Sequence, residues 1–128
     1  MLPKLELTRM AQAMASHAGA RLGVIAQNIA NADTQGYKVQ DLPDFAETYR
    51  AAGGDGMRAT RPGHFDGTAQ ASEPRARIVT GPGAPNGNTV SLEREMVKAV
   101  ETRQQHEMAL AISSNTSAIL RASLGRGR

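Results

Sequence analysis

The stretch that decides the fold of this chain is Asn28-Ile29-Ala30-Asn31-Ala32-Asp33-Thr34-Gln35-Gly36-Tyr37-Lys38. It begins inside a periodic apolar segment and ends among residues that favour turns. Asn31 and Asp33 leave a helix easily, and Gly36 tolerates the left-handed backbone that commonly closes a helix. The residues alone therefore predict the end of a long helix followed by a turn.

The segment before this stretch predicts a long amphipathic helix from about residue 6 to residue 33. Its apolar and small residues recur at spacings of three and four, which places them on one face of a helix. At ~1.5 Å per residue this helix would be roughly 40 Å long. The members of this N-terminal stripe are Leu7, Ala11, Met14, Ala18, Leu22, Ile25, Ile29 and Ala32.

A second long helix is predicted from about residue 90 to residue 124. Ser91 is a suitable N-cap, and Glu93 and Glu95 lie in the first turn, where negative charge is favourable. One stripe of this helix consists of Val97, Val100, Gln104, Met108, Ala111, Asn115, Ala118 and Ala122. Further apolar residues widen it to nearly two faces, namely Met96, Leu110, Ile112, Ile119, Leu120 and Leu124.

Apolar groups on more than one side of a helix indicate more than one neighbour. Two long helices that pack side by side bury one stripe each, and the remaining apolar surface usually marks an interaction site. Gln104 and Asn115 within the second stripe indicate a specified register. We therefore expect a subunit interface formed by Leu7, Met14, Leu22, Ile25, Ile29, Val97, Val100, Met108, Ala111 and Ile119.

The middle of the chain has the composition of an irregular segment. Residues 37–88 contain five of the six prolines and many glycines. Residues 41–50 predict a short helix with Phe45 and Tyr49 on one face, and residues 75–80 predict a short strand or extended piece.

These segments divide the chain into three parts: an N-terminal helix and turn (1–36), an irregular Gly/Pro-rich middle (37–88) and a C-terminal helix (89–128). The predicted fold class is mostly α, with the two long terminal helices packed as an antiparallel hairpin or coiled coil.

Composition narrows the classes of function. Aromatic residues make up only 3% of the chain, so we expect a small core. The absence of Cys excludes disulfides and thiolate metal sites. No apolar run approaches the roughly 20 residues of a membrane span, and the first residues lack the apolar core of a cleaved signal peptide.

No residue pattern in the sequence supports catalysis, a metal or a cofactor. His17, His64 and His106 lie at no metal-ligand spacing, and we expect His17 and His106 on helix surfaces. No nucleophile-elbow or phosphate-loop signature is present. We therefore expect no cofactor and no enzymatic activity.

The opening stretch resembles the N-terminal signature of the flagellar axial proteins, the family of rod and hook subunits. Their pattern is roughly Asn-Ile-Ala-Asn-Ala-Asp/Asn-Thr-Pro-Gly-Tyr-Lys, and Gln35 stands where Pro is usual. The motif residues carried over are Asn28, Asn31, Asp33, Thr34, Gly36 and Tyr37.

Two further segments resemble a proximal rod member of that family. The segment from Asn86 to Val97 is similar to the start of its C-terminal helix, and Thr60 followed by His64 is similar to a short motif in its middle segment. The short length agrees with this member, because distal rod and hook proteins carry larger inserted domains.

The resemblance implies a structural subunit of the proximal rod of the bacterial flagellar basal body. The terminal helices would self-assemble into the axial tube, which transmits torque and houses the export channel. The implied partners are copies of the chain, other flagellar rod proteins, the basal-body adaptor protein and membrane ring at the rod base, and the flagellar type III export gate during transit. The implied location is the periplasmic rod, reached without a cleaved signal peptide; neither nucleic acid nor a membrane span is implied.

Two alternatives remain open at this point. One is a different proximal rod protein of the same family. The other is a basic helical nucleic-acid-binding protein, which the net charge of +3 allows. Arg94, Lys98, Glu101 and Glu107 mix both signs on the last helix, which argues against this second alternative. An enzyme is a third reading without a supporting motif.

Overall fold

The structure is a computed structural model that describes residues 2–53 and 75–125. Its elements are α1 (Leu2–Ala30), β1 (Gln40–Asp41), α2 (Phe45–Gly53), β2 (Arg77–Ile78) and α3 (Leu92–Gly125). The predicted mostly α fold is confirmed, with two long terminal helices packed together and a short helix and strand pair between them. Thr60 and His64 of the middle motif lie outside the described residues.

α1 begins at Leu2 rather than near residue 6, and α2 ends at Gly53 rather than residue 50. Two further boundaries differ for local reasons. α1 ends at Ala30 rather than near residue 33, because the backbone turns more tightly there: the Ala32 N–H donates to the Ile29 carbonyl three residues back, over 3.2 Å. α2 begins at Phe45 rather than residue 41, because the residue before a proline avoids helical backbone and Pro43 lies in between.

α1 and α3 form an antiparallel hairpin. The end of α1 meets the start of α3, where the side chains of Asn28 and Glu95 lie 3.0 Å apart. Along the facing sides, buried residues recur every seven positions, which is the repeat of a coiled coil. The two series are Ala11, Ala18 and Ile25 on α1, and Glu95, Thr102, Ala109 and Thr116 on α3. Because most of these side chains are small, the helix axes can approach closely.

The core of the described residues is correspondingly small. Its buried apolar side chains are Ala11, Ala18, Ile25, Val39, Leu42 and Ala109. Buried polar groups are equally prominent in the hairpin, so hydrogen bonding contributes a large share of its specificity. This agrees with the aromatic-poor composition.

The middle elements pack against one side of α1. β1 and β2 pair antiparallel, with Gln40 opposite Ile78 and Asp41 opposite Arg77. In α2, the rings of Phe45 and Tyr49 lie 5.4 Å apart, which confirms their predicted shared face.

His17 has a different environment from the one the sequence predicts. Its ring meets Phe45 edge-on at 5.7 Å, and its Nε2 donates a hydrogen bond to the Pro43 carbonyl over 2.8 Å. The residue is buried, so the prediction of a surface histidine is wrong. Its position on α1 is covered by the turn into α2, which helical periodicity alone could not indicate.

Candidate functional site

The two segments that carry the resemblance meet at one end of the hairpin. We call this region the junction, formed by residues 28–41 and residues 84–95. The side-chain amide of Asn88 donates to three main-chain carbonyls at the end of α1, those of Asn31, Ala32 and Thr34, at 3.0, 2.8 and 2.8 Å. These three residues form the turn that follows α1, so Asn88 holds that turn against a segment from far along the chain.

Two glycines provide the left-handed backbone that the turns of the junction require. Gly36 and Gly87 have φ values of 75° and 82°, in the left-handed region that favours glycine. The Gly36 N–H donates to the Asn86 carbonyl over 3.1 Å. A Cβ on Gly87 would lie 3.5 Å from the Gly36 Cα, so the two backbones are in contact. The predicted turn at Gly36 is therefore also a docking point for the second segment.

Asn28 and Asn88 each form four side-chain hydrogen bonds in the junction, and the Asn28 side chain is fully buried. Its Nδ2 donates to the Gln40 carbonyl over 2.6 Å and to Glu95 Oε2 over 3.0 Å. Its Oδ1 accepts the Gln40 N–H over 3.1 Å and the Tyr37 hydroxyl over 3.2 Å. The residue is 0% exposed, and its bonds join α1, β1 and α3.

Four charged side chains extend the junction along the hairpin. Arg21 holds both carboxylate oxygens of Asp41, at 3.0 and 3.1 Å. Lys98 lies 3.5 Å from Asp41 and 3.2 Å from the buried Glu95. The two positive and two negative charges cancel, which offsets the desolvation cost of burying the Glu95 carboxylate.

The pKa of Asp41 reflects this environment. Burial alone would raise the pKa of the carboxyl group. The hydrogen bond and charge of Arg21, the Leu42 N–H and the charge of Lys98 together outweigh burial and hold the pKa below its ordinary value.

The remaining motif residues surround these bonds. The Thr34 hydroxyl donates to Asn31 Oδ1 over 3.1 Å, and the Tyr37 carbonyl accepts the Thr89 N–H over 3.0 Å. Asp33 is exposed. The sequence assigned no role to Asn88 or Thr89, and it placed Glu95 only in the first turn of α3, although all three lie within the segment 86–97 that carries the second resemblance.

A second feature is the exposed apolar surface of α3. Val97 and Val100 lie two and five residues after Glu95, which at about 100° per residue turns both away from α1. Seven large apolar residues on the back and both flanks of α3 are 52–71% exposed: Met96, Val97, Val100, Met108, Leu110, Ile119 and Leu124. Ala111, Gln104 and Asn115 are exposed as well. Gln104 and Asn115 therefore do not set the register between α1 and α3.

The N-terminal stripe occupies different surroundings. Leu7 and Ile29 are 39% and 36% exposed, and Met14 and Leu22 are half-buried. Ile25 is only 2% exposed, because it lies in the α1 series that faces α3. The hairpin itself covers Ile25, so this member of the expected subunit interface is not available for a contact between subunits.

The described residues offer little for chemistry. Within residues 2–53 and 75–125, no group of three or more His, Cys, Asp or Glu side chains could hold a metal ion. None of the helices in that part of the chain combines the length and the apolar character that a membrane crossing requires.

A helical hairpin that is joined by buried hydrogen bonds and carries exposed apolar residues is typical of a structural protein. Comparison with known proteins agrees. Residues 10–38 match the family described as flagella basal body rod protein. The chain is 33% identical to the flagellar basal body rod protein FlgB of Cereibacter sphaeroides, over 72% of this chain and 73% of the relative. It is 32% identical to FlgB of Escherichia coli K12, over 89% and 90%, and 30% identical to FlgB of Salmonella typhimurium, over 72% and 73%.

The chain therefore belongs to the FlgB family of flagellar basal body rod proteins. This confirms the resemblance and favours it over a different proximal rod protein. The relatives are rod proteins rather than enzymes, so the chain has a structural role in the flagellar basal body and is not an enzyme.

Proposed function

We propose that this chain is a subunit of the proximal rod that polymerises through its two terminal helices into the axial tube. In that tube it transmits torque and surrounds the export channel. The observation that carries the proposal is the exposed apolar surface of α3, because α1 already occupies the opposite side of this helix. An apolar surface that the chain's own fold leaves uncovered is typical of a contact between subunits.

The size of this surface is compatible with stable assembly. Met96 and Leu124 are 28 residues apart, so the surface is roughly 40 Å long at ~1.5 Å per residue. Burying one large apolar side chain contributes about 1.5–3 kcal/mol. Several such residues per subunit, repeated along a polymer, would stabilise a tube strongly. Leu7 and Ile29 at the edge of α1 would extend the same contact.

The proposed partners are copies of the chain, other flagellar rod proteins, and the adaptor protein and membrane ring at the rod base. The proposed location is the periplasmic rod, reached through the flagellar type III export gate. The small core supports this route, because a hairpin with few large buried side chains is easily kept unfolded during transit.

Nucleic-acid binding is the alternative from another class, and the charges of α3 disfavour it. Arg103 and Glu107 form an ion pair at 3.4 Å on the solvent side, so the positive groups are not gathered on one face. Salt-sensitive binding of labelled DNA at physiological ionic strength would support that alternative instead.

The proposal can be tested with Val97→Asp, which places a charge on the exposed surface of α3. The purified variant should keep the helicity of the parent chain, since Val97 is 58% exposed. In a strain that carries only this variant, rods and swimming should be lost, because an unpaired charge in a subunit contact is costly. Circular dichroism, purified basal bodies and swimming assays measure these effects.

Arg9→Asp is the matched control, because Arg9 is also exposed and the substitution changes the net charge by more. It should swim nearly as the parent does. Ile25→Asp separates folding from assembly: this variant should lose helicity itself, since Ile25 lies inside the hairpin. If the Val97→Asp strain forms normal rods, the exposed side of α3 is not the contact surface between subunits.

A further inference from the structure

Asn86 and Gly87 form an exposed turn at the edge of the junction. The Gly87 N–H donates to the Ala84 carbonyl over 2.9 Å, and the Ala84 N–H donates to the Asn88 carbonyl over 2.8 Å. Pro85 follows Ala84, and Gly87 has φ 82°, so the segment is a tight turn with proline second and glycine last. The Asn86 side chain lies in solvent.

An asparagine followed by glycine can react with its own backbone. Glycine has no Cβ, so its main-chain nitrogen is unshielded and its backbone bends readily. The other described asparagines precede larger residues: Ile29 after Asn28, Ala32 after Asn31, Thr89 after Asn88 and Thr116 after Asn115. The Asn86–Gly87 bond is therefore the most reactive of this group.

We propose that Asn86 is a deamidation site of the unfolded chain, and that formation of the junction protects it. The Gly87 nitrogen attacks the Asn86 Cγ, and the new N–Cγ bond replaces the Cγ–Nδ2 bond. Nδ2 leaves as ammonia and takes up the proton that the Gly87 nitrogen gives up. Water then opens the cyclic imide at either carbonyl, which yields aspartate or isoaspartate at position 86.

The junction opposes this reaction at each participating group. The attacking nitrogen has its hydrogen engaged with the Ala84 carbonyl. The Asn86 Oδ1 accepts the Asn88 N–H over 3.1 Å, which holds the side chain in place. The Asn86 carbonyl accepts the Gly36 N–H over 3.1 Å. To bring Cγ to the Gly87 nitrogen, the Asn86 side chain and the peptide unit between Asn86 and Gly87 must rotate, and this breaks the three hydrogen bonds. The reaction therefore requires local opening of the junction.

Aspartate or isoaspartate at position 86 would disturb the junction, which in the folded chain slows the deamidation of Asn86. Isoaspartate adds a methylene group to the main chain between Ala84 and Asn88. The Asn88 amide could then no longer reach the three carbonyls at the end of α1 in the same geometry. Both products also add a negative charge beside the C-terminus of α1, where the helix dipole is unfavourable to anions. A chain modified before folding should therefore fold poorly.

The test incubates the full chain at mildly alkaline pH, in native buffer and in concentrated urea. Mass spectrometry of peptides follows aspartate and isoaspartate at each asparagine, so Asn28, Asn31, Asn88 and Asn115 are internal controls. In urea, Asn86 should react faster than all four. In native buffer its rate should fall at least about tenfold, which corresponds to an opening free energy of about 1.4 kcal/mol.

Two variants sharpen the result. Asn88→Ala removes the hydrogen bonds of the Asn88 amide but leaves the Asn86–Gly87 sequence intact. It should therefore raise the deamidation rate of Asn86 in native buffer towards the rate in urea. Gln27→Ala changes an exposed amide side chain of α1 and should leave that rate unchanged. Similar deamidation rates for Asn86 and the four control asparagines in urea would overturn the claim that Asn86 is the reactive site. Equal rates in urea and native buffer, or no acceleration by Asn88→Ala, would overturn the protection.

Discussion

Asn28 Nδ2 and Glu95 Oε2 share a hydrogen bond of 3.0 Å that joins the last turn of α1 to the first turn of α3. The two residues are 0% and 1% exposed, and each has further polar partners. A buried polar pair of this kind is satisfied in only one alignment of the helices. The pair therefore fixes the register of the hairpin, in the way that an isolated buried polar residue fixes a coiled coil.

Removal of the Asn28 side chain should destabilise the hairpin. Asn28→Ala leaves the Gln40 N–H without its acceptor and takes one donor from the buried Glu95 carboxylate. Unsatisfied buried groups of this kind cost about 3 kcal/mol in total. Urea unfolding followed by circular dichroism measures the change. Gln27→Ala, one residue away and exposed, should change the free energy of unfolding by less than about 0.5 kcal/mol; equal losses in both variants would argue against the pair.

Thr102→Val should stabilise the hairpin. The Thr102 Oγ1 is buried and has no hydrogen-bond partner among residues 2–53 and 75–125, so the methyl group of valine removes an unsatisfied hydroxyl without changing the shape. The expected gain is about 1 kcal/mol. Thr116→Val is the matched control, since the Thr116 hydroxyl donates to the Ile112 carbonyl over 2.8 Å and its removal should bring no gain. Thermal melts of both variants should therefore diverge, and a loss of stability at Thr102 would contradict the prediction.

The backbone at Gly36 should reject a β-branched residue. With φ at 75°, Gly36→Val forces valine into the left-handed region at a cost of about 1–3 kcal/mol. The position has open space for a Cβ, so the cost arises from conformation rather than from a clash. Gly36→Asn should be much milder, because asparagine tolerates this region. Denaturation of the two purified variants gives the comparison, and similar costs for Asn and Val would point to lost contacts instead.

Asp41 should make the fold sensitive to acid. Its pKa is lower in the folded chain than in the unfolded one, so the stability it contributes is present above the ordinary aspartate pKa of about 3.9. That stability is lost as pH falls from this value through the lower folded pKa. Asp41→Asn should therefore be less stable than the parent at neutral pH, with the difference shrinking below about pH 4. Unfolding free energies across this range test the sign, and a difference independent of pH would exclude the Arg21–Asp41 pair as its source.

Several elements could be predicted from the sequence because their signals are local. The spacing of apolar residues predicts both long helices, and Gly36 marks the turn after α1. Contacts between distant segments gave no such signal. The burial of His17 depends on Pro43 and Phe45, which reach it only after the chain has turned back. The contact of Asn88 with the turn after α1 depends on carbonyls more than 50 residues earlier.

The sequence by itself determined two long helices, the turn between α1 and the middle segment, and membership of the flagellar rod family. Only the tertiary structure decided which side of α3 faces α1. A helix with apolar residues on nearly two faces is compatible with either choice, because periodicity measures amphipathicity and not the partner. Asn88 and Glu95 settle the choice, since their bonds to the end of α1 fix the rotation of α3 from its first turn. Thr102, Ala109 and Thr116 then face α1, and Val97, Val100 and Met108 remain exposed.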